Sequence, residues 1–257
     1  MSKILIKKII NNILGIFNFH LIRKDLIGVV EKRELTSFQK TGEKYKLYYE
    51  GLIKSKNIHT DNFFKQSRHL DLMNLVEIVL NKKIIGDFVE AGCWKGHSSY
   101  LISKLISKTN SNSTFHIFDS FEGLSEVKTQ DTNLKKMGTN EISKIRLQFA
   151  SNESFVRDEV LKEFKFVKTY KGWIPEKFHH VENLKFCFVH IDVDLYEPTL
   201  QCLEFFFPRL SEGGIIVCDD YNTFEFDGSK KAWDDFFSKE KVKINFAPAM
   251  GSSFVVK

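Results

Sequence analysis

Acids close two apolar runs of this chain: Asp192 follows FCFVHI at 186–191, and Asp219 and Asp220 follow GIIVC at 214–218. Between them 196–208 has helical patterning, so the unit reads strand, helix, strand, and a right-handed crossover lays the two strands parallel in one sheet. All three carboxylates then reach one sheet edge, where open α/β sheets bind their ligands. Hard oxygen donors converging there suit a divalent cation such as Mg2+, held by Asp192, Asp219 and Asp220. A second constellation lies upstream in IGDFVEAGCWKGHSS at 85–99: a strand, a glycine turn, and a helix opened by Ser98 and Ser99. Gly92 and Gly96 allow close backbone approach, and the amides that open the helix can meet an anionic group. The spacing is E-x-G-x-x-x-G rather than G-x-G-x-x-G, and Glu90 at the strand end would repel a pyrophosphate but suits an amine-bearing ligand. Asp119 closes the next strand, placed to bond ribose hydroxyls.

The elements that must position these groups alternate. Apolar patterning predicts helices over 70–80, 98–108, 151–164, 196–208 and 230–238. It predicts strands over 84–90, 114–119, 165–170, 185–192, 214–219, 241–247 and 252–257, the last two joined by a turn at 248–251. The fold class is therefore α/β: a doubly wound, seven-stranded, mostly parallel, Rossmann-like sheet with an antiparallel ending. Residues 122–140 are polar and rich in turn formers and read as a mobile loop, with a lid over the site as one use of it. Two parts are expected, a basic N-terminal helical arm over 1–68 and a catalytic domain over 69–257.

Composition bounds the rest. At 257 residues and 42% hydrophobic, one substantial core is the simplest reading. The four cysteines form no CxxC pair and mostly lie in apolar runs, which points to buried thiols in a reducing compartment and a cytoplasmic chain. The net charge of +5 is uneven, since residues 1–57 carry 12 Lys and Arg against 5 Asp and Glu. Ile6, Ile9, Ile10, Ile13 and Phe17 recur at helical spacing beside lysines. Such a helix fits peripheral contact with an anionic inner membrane surface; docking on protein, including a homo-oligomer contact, is the expected use. No apolar run is long enough to span a bilayer, and no basic patch interleaved with aromatics argues for nucleic acid.

The succession GDFVEAGCWKGHSS, HIFDSFEGL and HIDVDLYEPTLQCLEFFFPRLSEGGIIVCDDY resembles the macrocin O-methyltransferase family, class I S-adenosylmethionine-dependent enzymes that methylate sugar hydroxyls on macrolides. The likeness runs over about 86–237. It implies that the turn from Glu90 to Gly96 holds the methionine moiety, that Asp119 takes the ribose, and that Ser120, Phe121 and Trp173 lie near adenine. It also implies Mg2+ on Asp192, Asp219 and Asp220, with Asp192 a ligand first and a proton acceptor second. The expected activity is Mg2+-dependent methyl transfer to a hydroxyl of a sugar or glycosylated small molecule. Catechol-type relatives carry a lysine three residues after the matching aspartate, where this chain has Leu195. The acids' neighbours have structural readings: Asp194 with Glu197 as a capping box, His190 as a satisfied core residue. His97 could alter cofactor contacts, and Tyr221 could line the acceptor pocket or pack. A non-catalytic scaffold keeping the fold is the alternative; a nicotinamide oxidoreductase is disfavoured by the missing G-x-G-x-x-G.

Overall fold

The computed structural model describes residues 19–21, 29–31, 42–240, 242, 244–246 and 252–257. The basic apolar helix expected within 6–17 and the turn at 248–251 lie outside the described residues. Contacts divide the chain into two compact units, Met1–Glu50 and Gly51–Lys257. In the first, strands β1 (Phe19–Leu21) and β2 (Val29–Glu31) pair antiparallel. Helix α1 (Glu43–Lys54) crosses the boundary.

The second unit is a sheet with helices. In chain order it holds α2 (Phe63–Asn81), β3 (Asp87–Ala91), α3 (His97–Ser107), β4 (Phe115–Asp119), α4 (Thr132–Lys135), α5 (Thr139–Gln148), β5 (Val167–Lys171), β6 (Phe186–Ile191), α6 (Tyr196–Phe206), β7 (Leu210–Cys218), α7 (Asp227–Phe237), β8 (Ile244–Phe246) and β9 (Ser253–Val256). The strand order is β5-β4-β3-β6-β7-β9-β8. The first five strands run parallel, while β9 inserts antiparallel between β7 and β8. The order reverses between β3 and β6, which makes their carboxyl ends the crevice of the sheet.

The strands beside the crevice are apolar on both faces because helices cover both faces. Every residue of β6 is buried, and Phe186, Phe206, Val189, Ile216 and Trp233 meet in one core. The four cysteines are buried and free.

Three expectations are corrected. Residues 122–140 are pinned rather than a free loop: Leu134 of α4 is 1% exposed, and the Asn133 amide donates to Asp227 Oδ1 at 3.0 Å. The buried Asp131 carboxylate also accepts the Tyr196 amide at 2.8 Å, capping α6. That cap displaces the capping box expected of Asp194 and Glu197. Asp194 is left-handed, with φ 64°, and Leu195 stands at the N-cap with no side-chain bond. The helix expected over 151–164 closes early instead, as a short α-turn Glu153–Phe155 running into a π-turn Val156–Val160.

Candidate active site

The loops after β3, β4, β6 and β7 and the start of α2 enclose a cavity of about 620 Å3. Its floor depends on Gly92. This residue has φ +84°, and a Cβ built there would stand 1.9 Å from the Asp192 carbonyl oxygen, so only glycine lets the β3 and β6 ends approach this closely. Three non-glycine residues are also left-handed where the strands end: Trp94 at φ 46°, Phe121 at φ 58° and Asp194 at φ 64°. Each conformation costs about 1–2 kcal/mol, and strain of this kind gathers at functional sites.

The acid after β4 locks the glycine turn. Asp119 Oδ2 accepts the Cys93 and Trp94 amides at 2.7 and 2.9 Å, and Oδ1 accepts the Phe121 amide at 2.6 Å. Burial raises its pKa, and these same amides restrain the rise. Asp119 lines the cavity, and the Cys93 thiol joins the amides at its carboxylate.

Glu90 faces the other way. It is fully buried, accepts the Ser99 hydroxyl through Oε2, and meets His190 Nδ1 through Oε1 at 3.0 Å. The other ring nitrogen of His190 lies 3.6 Å from Asp219 Oδ1, an ion-pair rather than a hydrogen-bond distance. Burial lowers the pKa of His190, but the Asp219 and Glu90 carboxylates outweigh it and push it up to about 10. One atom each of His190, Asp192 and Asp219 lie within 4.8 Å of one another. In its protonated form the ring would give the cluster a positive charge and no lone pair for a metal. His190 is thus the buried, hydrogen-bonded core histidine expected from the sequence, and the pairing of β3 with β6 sets its partner Glu90 beside it.

The strand-end acids converge with one guanidinium that no motif places among them. Arg68 Nη1 lies 2.5 Å from Asp219 Oδ2 and 3.5 Å from Asp220 Oδ1. Asp219 also accepts the Ser252 hydroxyl at 3.1 Å, and Asp220 Oδ2 accepts the Asp194 amide at 3.1 Å. Burial opposes ionisation of Asp219, yet Arg68 and then His190 hold its pKa far below the carboxylate range. The other acids move up. Asp192 is pushed to about 8 by burial and by Asp219, Asp220 upward by burial and Asp192, and Asp194 upward by burial and Asp220. Beside Arg68 and His190, the remaining acids are held toward their protonated forms. A divalent cation is a charge that would let these hard oxygen donors ionise together.

Arg68 reaches the acids because Asn62 caps α2, accepting the Lys65 amide at 3.0 Å. Helical spacing then sets Lys65, Arg68 and His69 on one face. The His69 and His97 rings stack at 4.4 Å. Besides these, Asn57 and Thr60 join the cavity lining. A capping Asn before a helix was the one available sequence signal for this wall, since the predicted helix began later, at 70.

Of the residues singled out from sequence, Gly92, Ser98, Asp119, Ser120, Trp173, Asp192, Asp219 and Asp220 line this one cavity. Glu90, Gly96, Ser99 and Phe121 stand behind its wall, holding the turn and the strand ends. Tyr221 turns away, its hydroxyl donating to Asp234 at 2.8 Å.

An acid-rimmed cavity over a glycine turn, at the switch point of a sheet with an antiparallel β9, defines the class I methyltransferase fold. Solved structures agree on the fold: the O-methyltransferase NovP superposes with TM-score 0.64 at 22% identity, covering 76% of this chain and 81% of that one. CalS11, a calicheamicin methyltransferase, superposes with TM-score 0.60 at 16% identity, covering 86% and 96%. The chain belongs to the macrocin-O-methyltransferase (TylF) family, whose sequence profile matches residues 43–249. Among its relatives, an 8-demethyl-8-(2,3-dimethoxy-alpha-L-rhamnosyl)-tetracenomycin-C 4'-O-methyltransferase of Streptomyces olivaceus is 30% identical over 157 residues, 59% of each chain. Demethyldecarbamoylnovobiocin O-methyltransferase of Streptomyces niveus is 26% identical over 210 residues, 78% of each. The match thus spans about three fifths of the first relative's length. Among the described residues no helix is long and apolar enough to cross a membrane.

Proposed function

We propose that this chain transfers the methyl group of S-adenosylmethionine to a hydroxyl of a sugar on a glycosylated small molecule, with Mg2+ held by Asp192, Asp219 and Asp220. The observation that carries the reading is the cluster of buried carboxyl groups beside a glycine turn that leaves room for a ligand. Relatives whose names specify rhamnosyl or mycinamicin 3'' hydroxyls support the acceptor class.

In this reading the Gly92 turn and Ser98 seat the methionine end of the cofactor, and Asp119 takes a ribose hydroxyl. Trp173 offers a ring to the adenine. Glu90 acts indirectly, because both its oxygens are engaged by Ser99 and His190. When bound, Mg2+ supplies Lewis acidity toward the acceptor oxygen. The acids orient that oxygen, and His190 keeps Asp219 ionised from behind. Holding acceptor and methyl donor in line is itself a large part of such a rate.

The test is calorimetric titration of S-adenosylhomocysteine, with Mg2+ and with chelator, into wild type and Asp219→Asn, followed by methyl α-L-rhamnoside as acceptor. Cofactor binding in both proteins, with a Mg2+ site lost in the variant, is the expected result. No cofactor binding under any condition returns the chain to the scaffold alternative.

A further inference from the structure

We propose that Asn57 determines acceptor specificity, its carboxamide taking a sugar hydroxyl beside the one that is methylated; this rests on the methyl-transfer reading above. Asn57 lines the cavity and is 1% exposed. Its backbone is fully used. The amide donates to the Leu52 carbonyl at 3.0 Å, and the carbonyl accepts the Thr60 amide at 2.9 Å and the Thr60 hydroxyl at 2.8 Å. Its side chain is left over: neither Nδ2 nor Oδ1 has a hydrogen-bond partner among the described residues.

The ordinary use of an asparagine here is capping. Asn57 does stand before the short 3-10 turn Ile58–Thr60, yet its side chain makes no capping bond, so that use does not account for it. A buried amide without partners costs stability, and an apolar side chain of similar shape avoids the cost. An orphaned pair of polar atoms kept on a cavity wall points to a ligand that completes it.

The place of Asn57 assigns it to the acceptor. Thr60, which bonds the Asn57 carbonyl, also accepts Lys65 Nζ at 2.6 Å. Arg68, one turn further along the same helix face, meets Asp219. A continuous row of side chains thus joins Asn57 to the strand-end acids, where the methylated oxygen has to sit. The chemistry agrees. A carboxamide offers two donors on Nδ2 and an acceptor on Oδ1. A carboxylate alone would leave Oδ1 orphaned, and an ammonium alone would leave Nδ2 so. A hydroxyl both donates and accepts, and a sugar carries such groups on neighbouring carbons. With no bond to hold it, the amide needs only rotation about its own side-chain bonds to meet one.

The experiment measures kcat and KM for methyl α-L-rhamnoside and its monodeoxy analogues at saturating Mg2+ and S-adenosylmethionine, in wild type, Asn57→Leu and Asn57→Ala. Calorimetry with S-adenosylhomocysteine and melts of the ligand-free proteins run beside it. Deleting one non-reacting hydroxyl should cost wild type about 10-fold or more in kcat/KM. Both variants should show that loss on the parent sugar and no further loss on that analogue, so that the two deletions are not additive. Cofactor affinity is expected within about twofold of wild type, and the Asn57→Leu melting midpoint at or above it, because the orphaned amide is gone. Additive losses, or selectivity unchanged in the variants, overturn the proposal. So does a fall in both melting midpoints, which assigns Asn57 to the fold, and so does lost cofactor affinity, which assigns it to the amino-acid end of the cofactor. If wild type binds cofactor but methylates none of the sugars, the acceptor reading itself fails and this proposal falls with it.

Discussion

Replacing Arg68 by methionine keeps most of the stem's volume and deletes the guanidinium that faces Asp219 at 2.5 Å and Asp220 at 3.5 Å. Both carboxylates are nearly buried, at 5% and 6% side-chain exposure, and the arginine is at 25%. Asp219 has its pKa depressed in the fold, so the stability it contributes is present above its unfolded value of 3.8 and is lost as pH falls through the folded one. Without Arg68, Asp219 must either ionise beside uncompensated acids or stay protonated. Staying protonated at pH 7 costs about 4 kcal/mol, at about 1.4 kcal/mol for each pH unit above the unfolded value. The same arithmetic gives less than about 2 kcal/mol at pH 5. The neutral-pH figure agrees with the roughly 3–5 kcal/mol lost when one partner of a buried pair is removed. Urea unfolding in chelator, extrapolated linearly, reads both values, and the melting midpoint at pH 7 should fall by about 10 °C. Mg2+ at millimolar concentration should stabilise Arg68→Met more than wild type, because the ion then enters an acid pair with no counter-ion to displace. A loss below about 1 kcal/mol at pH 7, or one equal at pH 5 and 7, would refute this electrostatic account.

Other outcomes follow from the same contacts. Gly92→Ala places a Cβ 1.9 Å from the Asp192 carbonyl at φ +84°, and should abolish cofactor binding and lower stability by about 3 kcal/mol or more, by calorimetry and urea titration. Leu134→Ala opens a space under the 122–140 segment and should cost about 2–5 kcal/mol; a negligible change would show that the segment is not packed. His190, raised to about 10, contributes stability that is complete below its unfolded value of 6.5 and fades as pH climbs toward 10. His190→Gln should therefore flatten the alkaline fall in wild-type stability, and an unchanged profile would count against a charged ring. Asp131→Ala removes the cap on the Tyr196 amide and should cost about 1 kcal/mol, read as a shift in denaturant midpoint.

The sequence by itself determined the strand ends. Apolar runs stopping at Glu90, Asp119, Asp192 and Asp219 are legible because strands buried on both faces leave a continuous hydrophobic signature, and a parallel sheet aligns their ends. The glycine at 92 was legible too, since a turn between strand and helix needs a residue free to adopt positive φ. What the carboxylates do was decided by partners distant in the chain. Glu90 faces inward because β3 pairs with β6 and sets His190 beside it. Asp194 is no cap, because Asp131, 65 residues away from Tyr196, takes that amide first. Arg68 lies 151 residues from Asp219, and no periodicity records that a polar helix end will turn toward an acid. Local patterns report burial and backbone conformation; charge compensation is a property of groups that only the folded sheet brings within a few ångströms.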